Sequence, residues 1–116
     1  MRNATRIRVT VTMSEYTKER NKAWTYTMEH LRDGYFSFTS NEVFALLVKY
    51  QEVNHIIIQT PSTYEANYIS GGWTINHPTR VYDTLRSMTK RDILVRYRNV
   101  TKGRGSQCKY RYEFAQ

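Results

Sequence analysis

Cationic side chains are the residues with the clearest chemical capacity in this sequence, and most of them lie near its C-terminal end. Residues 79–116 contain ten Lys or Arg and three acids, which gives +7 of the +8 carried by the whole chain. Residues 51–78 contain two Glu and no Lys or Arg. A segregated positive charge attracts polyanions over a long range, so the C-terminal third should carry a binding face.

The residue types that perform catalysis or hold metals form no recognisable pattern. His30, His55 and His77 are far apart, and neither His-Glu-x-x-His nor Cys-x-x-Cys occurs in the sequence. Cys108 is the single cysteine, and its place on the apolar side of a predicted strand favours packing over nucleophilic chemistry. The sequence also contains no glycine-rich phosphate loop and no close group of carboxylates. We therefore expect no enzyme activity and no cofactor or metal.

Composition indicates one small folded domain. The chain has 116 residues, 40% of them hydrophobic and 14% aromatic, and its pI is about 9.8. We find no apolar run of bilayer-spanning length and no cleavable leader, and a single cysteine agrees with a reducing compartment. We expect a cytoplasmic protein without a membrane partner.

The N-terminal half predicts a strand and two helices. Apolar and polar residues alternate over Arg6–Met13, which is typical of a strand whose buried side carries Ile7, Val9, Val11 and Met13. Helical spacing predicts a helix from about 16 to 31 that ends at Asp33-Gly34, although its polar first part could instead be a loop. Thr39 and Glu42 then form a capping box for a second helix. Its predicted buried residues are Val43, Phe44, Leu46, Leu47 and Tyr50.

Residues 51–77 are harder to interpret. Turn residues and a β-forming isoleucine run allow a hairpin with strands near 55–59 and 73–75. A long connection of this kind is uncommon in a small domain unless it has a function.

The C-terminal third predicts a helix over 79–91 and two strands, 93–100 and 108–114, joined by a loop that contains Gly and Arg. Pro78 marks the start of the helix, with Asn76 as its candidate cap. The predicted buried stripe of the helix is Val81, Tyr82, Leu85 and Met88. Alternation in the strands predicts one solvent face that carries Arg96, Arg98, Lys109 and Arg111, with the tyrosines in the core.

This order of elements resembles the winged helix-turn-helix family of DNA-binding domains. Pro78–Met88 followed by Lys90–Arg96 looks like the third helix and first wing strand of small bacterial and phage regulators. Lys102–Gly105 looks like a wing tip, and Tyr110–Phe114 like the closing strand. Asp92 stands where such regulators often have glycine, and Asp tolerates the left-handed conformation better than most residues.

The resemblance implies an α+β fold in a single domain, 1–116. The winged helix-turn-helix would carry an extra N-terminal strand within 1–15 and a long insertion, 51–77, between its second and third helices. The recognition helix and wing would occupy 78–116.

The resemblance also implies a sequence-specific double-stranded DNA-binding regulator of transcription, with its third helix in the major groove. The implied base-reading residues are Arg80, Asp83, Thr84, Ser87 and Lys90. The implied phosphate contacts are Arg86, Arg91, Arg96, Arg98, Lys102, Arg104, Lys109 and Arg111. Arg104 could instead enter the minor groove.

Two other kinds of partner remain open. Such regulators commonly act as two-fold dimers, here through 6–13 or 51–77. The candidate interface residues in the insertion are Ile57, Tyr64, Tyr68 and Trp73. Alternatively, the insertion binds a polymerase, a nuclease or another host protein, and the chain is a phage-encoded modulator or inhibitor. A third hypothesis, a single-strand or RNA binder with Tyr97, Tyr110 and Tyr112 as stacking platforms, conflicts with the predicted burial of those rings.

Overall fold

Three helices and three two-stranded sheets make up the described part of the chain, in an α+β fold as predicted. The structure, a computed structural model, describes residues 7–61, 63–65, 68–70, 72–100 and 108–116, and the side chains of 7–61, 72–98 and 110–116. The helices are α1 Met13–Gly34, α2 Ser40–Val53 and α3 Pro78–Lys90. The strands are β1 Arg8–Val9, β2 Ile56–Ile57, β3 Thr63–Glu65, β4 Tyr68–Ser70, β5 Leu94–Val100 and β6 Cys108–Phe114.

The first helix begins earlier than the sequence suggested. Thr12 and Glu15 form a capping box, with the Glu15 N–H donating to Thr12 Oγ1 at 3.0 Å and the Thr12 N–H donating to Glu15 Oε1 at 3.1 Å. Helix α1 is therefore continuous through the polar stretch that could have been a loop, and it ends at Gly34 as predicted.

The predicted strand over Arg6–Met13 is wrong both in its length and in which of its side chains are buried. Among the described residues 7–13, Arg8–Val9 forms the strand, which pairs in parallel with β2 and ends early because the Thr12 cap starts the helix at Met13. Thr10 is the buried residue, and its hydroxyl donates to the Gln59 carbonyl at 2.8 Å and accepts from the Gln59 N–H at 3.0 Å. The side chains expected to be buried are instead 42–66% exposed: Ile7, Val9, Val11 and Met13.

The core lies between the three helices and the base of the β5–β6 hairpin. Its fully buried members include Leu31, Phe38, Val43, Leu47, Ile58, Val81, Leu85 and Leu94. Phe38 pairs antiparallel with Tyr112, and the two residues exchange N–H···O bonds of 3.0 and 2.8 Å. This bridge attaches the segment between α1 and α2 to β6. The Thr39–Glu42 capping box of α2 is confirmed.

The segment between α2 and α3 is anchored at both ends. Gln59 pairs antiparallel with Thr74, which confirms the predicted pairing of 55–59 with 73–75, and β3 pairs with β4 between them. Gly72 lies so close to Thr60 that an added Cβ would be 1.6 Å from the Thr60 carbonyl oxygen. Glycine is therefore required here by the close approach of two backbones.

Helix α3 starts with Pro78 at its first position, as predicted, but its cap is His77 rather than Asn76. His77 Nδ1 accepts from the Thr79 N–H at 3.2 Å, whereas the Asn76 side chain accepts from Gln51 Nε2 at 2.9 Å. The imidazole of His77 also stacks on the Trp73 indole, with ring centroids 4.3 Å apart and planes 8° apart.

The buried stripe of α3 is narrower than predicted. Val81 and Leu85 are fully buried, whereas Tyr82 is 47% exposed and meets the Phe44 ring edge-on. The helix is followed by Asp92 with φ of 61°, the left-handed conformation expected at that position.

The β5–β6 hairpin does not place its cations on one face, so that prediction is wrong. Arg96 lies opposite Tyr112 and Arg98 opposite Tyr110, whereas Arg111 lies opposite Tyr97. Because opposed residues in an antiparallel pair share a face, Arg96 and Arg98 lie on the face of the hairpin that also carries Leu94, Tyr112 and Phe114, although both arginines are exposed, and Arg111 lies on the other face. Lys109, opposite Asn99, belongs to the Arg111 face. The Leu94–Phe114 pair lies at the base of the hairpin in the same register.

Candidate functional site

Helix α3 presents a polar face on the side opposite its buried residues. Asp83, Ser87 and Lys90 are exposed there, as the sequence predicted, together with Arg86. Arg86 Nη1 lies 3.5 Å from Asp83 Oδ1, and both side chains are about 60% exposed (59% and 62%). An exposed pair of this kind contributes little free energy, so Arg86 can exchange Asp83 for another anion.

The positive charge continues from the end of α3 into β5. Arg91 is exposed just after the helix, and Arg96 and Arg98 are exposed on the strand that follows. The Arg96 guanidinium lies over the Tyr110 ring at 4.2 Å from its centroid. We call the five exposed cations along α3 and β5 the basic surface: Arg86, Lys90, Arg91, Arg96 and Arg98. Among the described residues, Arg86 is the only one of the five in an ion pair.

Two predicted base-reading residues are not outward-facing. Arg80 and Thr84 are partly buried, and the Thr84 hydroxyl donates to the Arg80 carbonyl at 2.9 Å. The Arg80 guanidinium lies 5.8 Å from the centroid of the Tyr16 ring and 5.6 Å from that of Trp73. Trp73 precedes Thr74, whose bridge with Gln59 positions the end of the segment between α2 and α3.

Arg111 is engaged within the fold. Its Nε and Nη2 donate to Ser37 Oγ at 3.1 and 2.8 Å, and Nη2 also approaches the Ser37 carbonyl oxygen at 3.4 Å. These bonds reinforce the Phe38–Tyr112 bridge beside them. Arg111 therefore does not belong to the basic surface, because it lies on the opposite face of the hairpin from Arg96 and Arg98 and its guanidinium is hydrogen-bonded to Ser37.

Some of the other predicted site residues are described by the structure and some are not. Ile57 is partly buried in β2, and Trp73 is 45% exposed. Lys102 and Arg104 lie outside the described residues. The backbones of Tyr64, Tyr68 and Lys109 are described but their side chains are not.

Two ionisable groups near the hairpin have shifted pKa values. Burial raises the pKa of the Tyr112 phenol above its ordinary value of 10.0, and the charge of Arg96 opposes part of that shift. Partial burial acts to raise the pKa of Glu42, but hydrogen bonds from the Thr39 hydroxyl and N–H outweigh it, so the pKa is lowered. Glu42 is thus a charged cap of α2 at neutral pH.

Sequence reasoning missed a cavity beside the basic surface. Its walls include Tyr16, Arg20 and Trp24, which follow one another at intervals of four residues along α1. That spacing puts the three side chains on one helix face, and the Thr12–Glu15 capping box would have identified the segment as helical. The signal was present in the sequence, but the polar character of residues 17–22 obscured it.

No helix in the described part of the chain is long and apolar enough to cross a membrane. Within the same residues, no group of three or more His, Cys, Asp or Glu side chains is arranged to hold a metal ion. Comparison with known proteins found no matching family model, no similar curated protein and no similar solved structure.

Proposed function

We propose that this protein is a sequence-specific double-stranded DNA-binding protein that regulates transcription, with a winged helix-turn-helix fold. The order α1, Phe38, α2, α3, β5, β6 supports that fold, since the Phe38–Tyr112 bridge adds a short third strand to the β5–β6 hairpin. The segment from β2 to β4 is then an insertion between the second and third helices.

The observation that carries the proposal is the series of exposed cations along α3 and β5 that makes up the basic surface. A helix is narrow enough to enter the major groove, and a hairpin beside it can follow the phosphates. Ser87 and Lys90 are exposed in the last four residues of α3, where they can reach base edges. Asp83 suits a cytosine amino group, because phosphate would repel its carboxylate.

The phosphate contacts come from cations that are exposed and outside the core. Arg91, Arg96 and Arg98 meet this description, and Arg86 joins them when it leaves Asp83. Arg80 contributes less to base reading than its sequence position implied, because its guanidinium lies against two aromatic rings.

Selection from a random duplex library tests the proposal directly. We expect the selected duplex to bind at least about 10³-fold more tightly than random duplex at physiological salt, and more tightly than either of its single strands. Ser87→Ala combined with Lys90→Gln should remove most of this preference. Asn41→Ala combined with Lys49→Gln, at exposed positions of α2, is the matched control. Failure to bind any duplex at low salt would refute the proposal.

A protein partner is the second candidate, favoured by the exposed apolar side chains around β1. Ile7, Val11 and Met13 are each more than half exposed, and clustered exposed apolar side chains mark contact surfaces. A two-fold dimer through 6–13 is compatible with DNA binding, since regulators of this type commonly read two half-sites. Sedimentation of Val11→Glu against the unmodified chain separates the two cases: loss of a dimer supports self-association, whereas a monomer in both samples favours a different protein.

A further inference from the structure

A cavity of about 300 Å³ lies between α1, the end of the insertion and the first turns of α3. Tyr16, Arg20 and Trp24 line it from α1, Trp73 from the insertion, and Arg80 and Asp83 from α3. Its volume is at the lower end of the range of roughly 300–1,000 Å³ that is typical of small-molecule sites. The cavity therefore has room for an organic molecule as well as for an inorganic ion.

Two guanidinium groups give the cavity its chemical character. Arg20 Cζ lies 5.5 Å from the Tyr16 ring centroid and Arg80 Cζ lies 5.8 Å from the same centroid, so both charges adjoin one ring. Asp83 is the carboxylate in the lining, and it lies in an ion pair with Arg86. The walls thus hold an excess of positive charge that Asp83 does not cancel.

Arg80 also carries a buried hydrogen-bond donor without an acceptor. Its Nε is inaccessible to solvent, and no acceptor in the described part of the chain lies within hydrogen-bond distance. A buried donor left in this condition costs free energy, more so when it is charged. The Nε–H and an adjacent Nη–H of a guanidinium form a fork that matches two oxygens of a carboxylate or phosphate.

We propose that this cavity binds a small organic anion: a carboxylate or phosphate monoester attached to a flat apolar body. The anionic oxygens accept from Arg80, with Arg20 as the second cation. The apolar body contacts the indoles of Trp24 and Trp73, the first of which is buried and the second 45% exposed. This site is distinct from the basic surface, and the inference does not depend on DNA binding.

The chain offers a direct probe of the cavity. Trp24 and Trp73 are its two tryptophans and both line the cavity, so selectively excited tryptophan fluorescence reports on this place in the molecule. We would titrate with phenyl phosphate, benzoate, inorganic phosphate and benzyl alcohol, and confirm each binding curve by calorimetry. We expect saturable binding of phenyl phosphate or benzoate, at least about tenfold tighter than binding of either benzyl alcohol or inorganic phosphate. The tighter of the two aromatic anions identifies the headgroup.

Two variants test the roles of the cations. Arg80→Gln and Arg20→Gln should each weaken binding of the aromatic anion about tenfold or more, because each removes a charged hydrogen-bond donor. Lys22→Gln removes one cation from an exposed position of α1 outside the cavity and should leave binding unchanged. If Arg80→Gln does not fold, as judged by circular dichroism, Arg20→Gln alone decides the test. Equal binding of benzyl alcohol, no saturable binding of any probe, or unchanged binding by the folded arginine variants would overturn the proposal.

Discussion

The basic surface makes a quantitative prediction about how DNA binding depends on salt. Arg91 and Arg98 are the most suitable positions to change, because both are exposed and neither side chain has a hydrogen bond or ion pair within the described residues. The double variant Arg91→Gln/Arg98→Gln should therefore fold normally. Lys22→Gln/Lys49→Gln removes the same charge from exposed positions on α1 and α2 and is the matched control.

Each phosphate contact contributes about −0.9 to the slope of log affinity against log salt concentration, so the loss of two contacts should make the slope less negative by about 1.8. Over a fourfold rise, from about 50 to about 200 mM, the affinity advantage of the unmodified chain should then shrink about tenfold. Fluorescence anisotropy with one labelled duplex at several salt concentrations measures both slopes.

The control decides what the slope means. If Lys22→Gln/Lys49→Gln makes the slope less negative by as much as Arg91→Gln/Arg98→Gln does, DNA binding depends on the net charge of the chain, and the basic surface has no special role. If the slope of the Arg91/Arg98 variant equals that of the unmodified chain, these side chains do not contact phosphate. Either result would refute the argument from the basic surface.

Three predictions concern stability. Folding lowers the pKa of the Glu42 carboxyl below its ordinary value of 4.5, so the charged carboxylate stabilises the protein at pH values above 4.5, and this contribution is lost as the pH falls through the pKa of the folded protein. Glu42→Ala should therefore lower the free energy of unfolding in urea by about 1 kcal/mol at pH 7 and by less at pH 3. Gly72→Ala should cost about 1–3 kcal/mol through its clash with Thr60, whereas Gly34→Ala, with no atom within 4 Å of the added Cβ, should cost nothing measurable in the same assay. Phe38→Ala should cost about 3–5 kcal/mol, because the ring is fully buried, and Phe36→Ala, 88% exposed, is its control. An equal free energy of unfolding for the two members of either of the last two variant pairs would contradict the packing described.

Features of the fold that depend on neighbours in sequence were predictable. The Thr39–Glu42 capping box, Pro78 at the start of α3 and the left-handed Asp92 each follow from contacts or conformations within a few residues. The end of α1 at Gly34 belongs to the same group. These local preferences depend on residue type alone, so they can be predicted without knowledge of the tertiary structure.

Features that depend on distant partners were not predictable from alternation. Alternation identifies which residues of one strand share a face, but the Leu94–Phe114 pairing decides which face of β6 meets which face of β5. That register separates Arg96 and Arg98 from Arg111.

The same limit applies to β1 and to the candidate site. Parallel pairing with β2 brings Thr10 inward through its two hydrogen bonds with Gln59 and leaves the apolar residues outside. On α3, helical spacing predicted the exposure of Asp83, Ser87 and Lys90 correctly. Arg80 was predicted to be exposed but is partly buried, because Trp73, from a separate segment, packs against it.

The stacked pair of Trp73 and His77 makes the first turn of α3 dependent on the segment between α2 and α3. His77 caps that turn, and its imidazole is held in place by an indole that belongs to the preceding segment. Amide hydrogens at the beginning of α3 should therefore exchange with solvent faster when Trp73 is replaced by a smaller residue, while those near Lys90 keep their protection. Substitutions in the segment between α2 and α3 could in this way adjust the rigidity of the first turn of α3 without altering any residue on its exposed face.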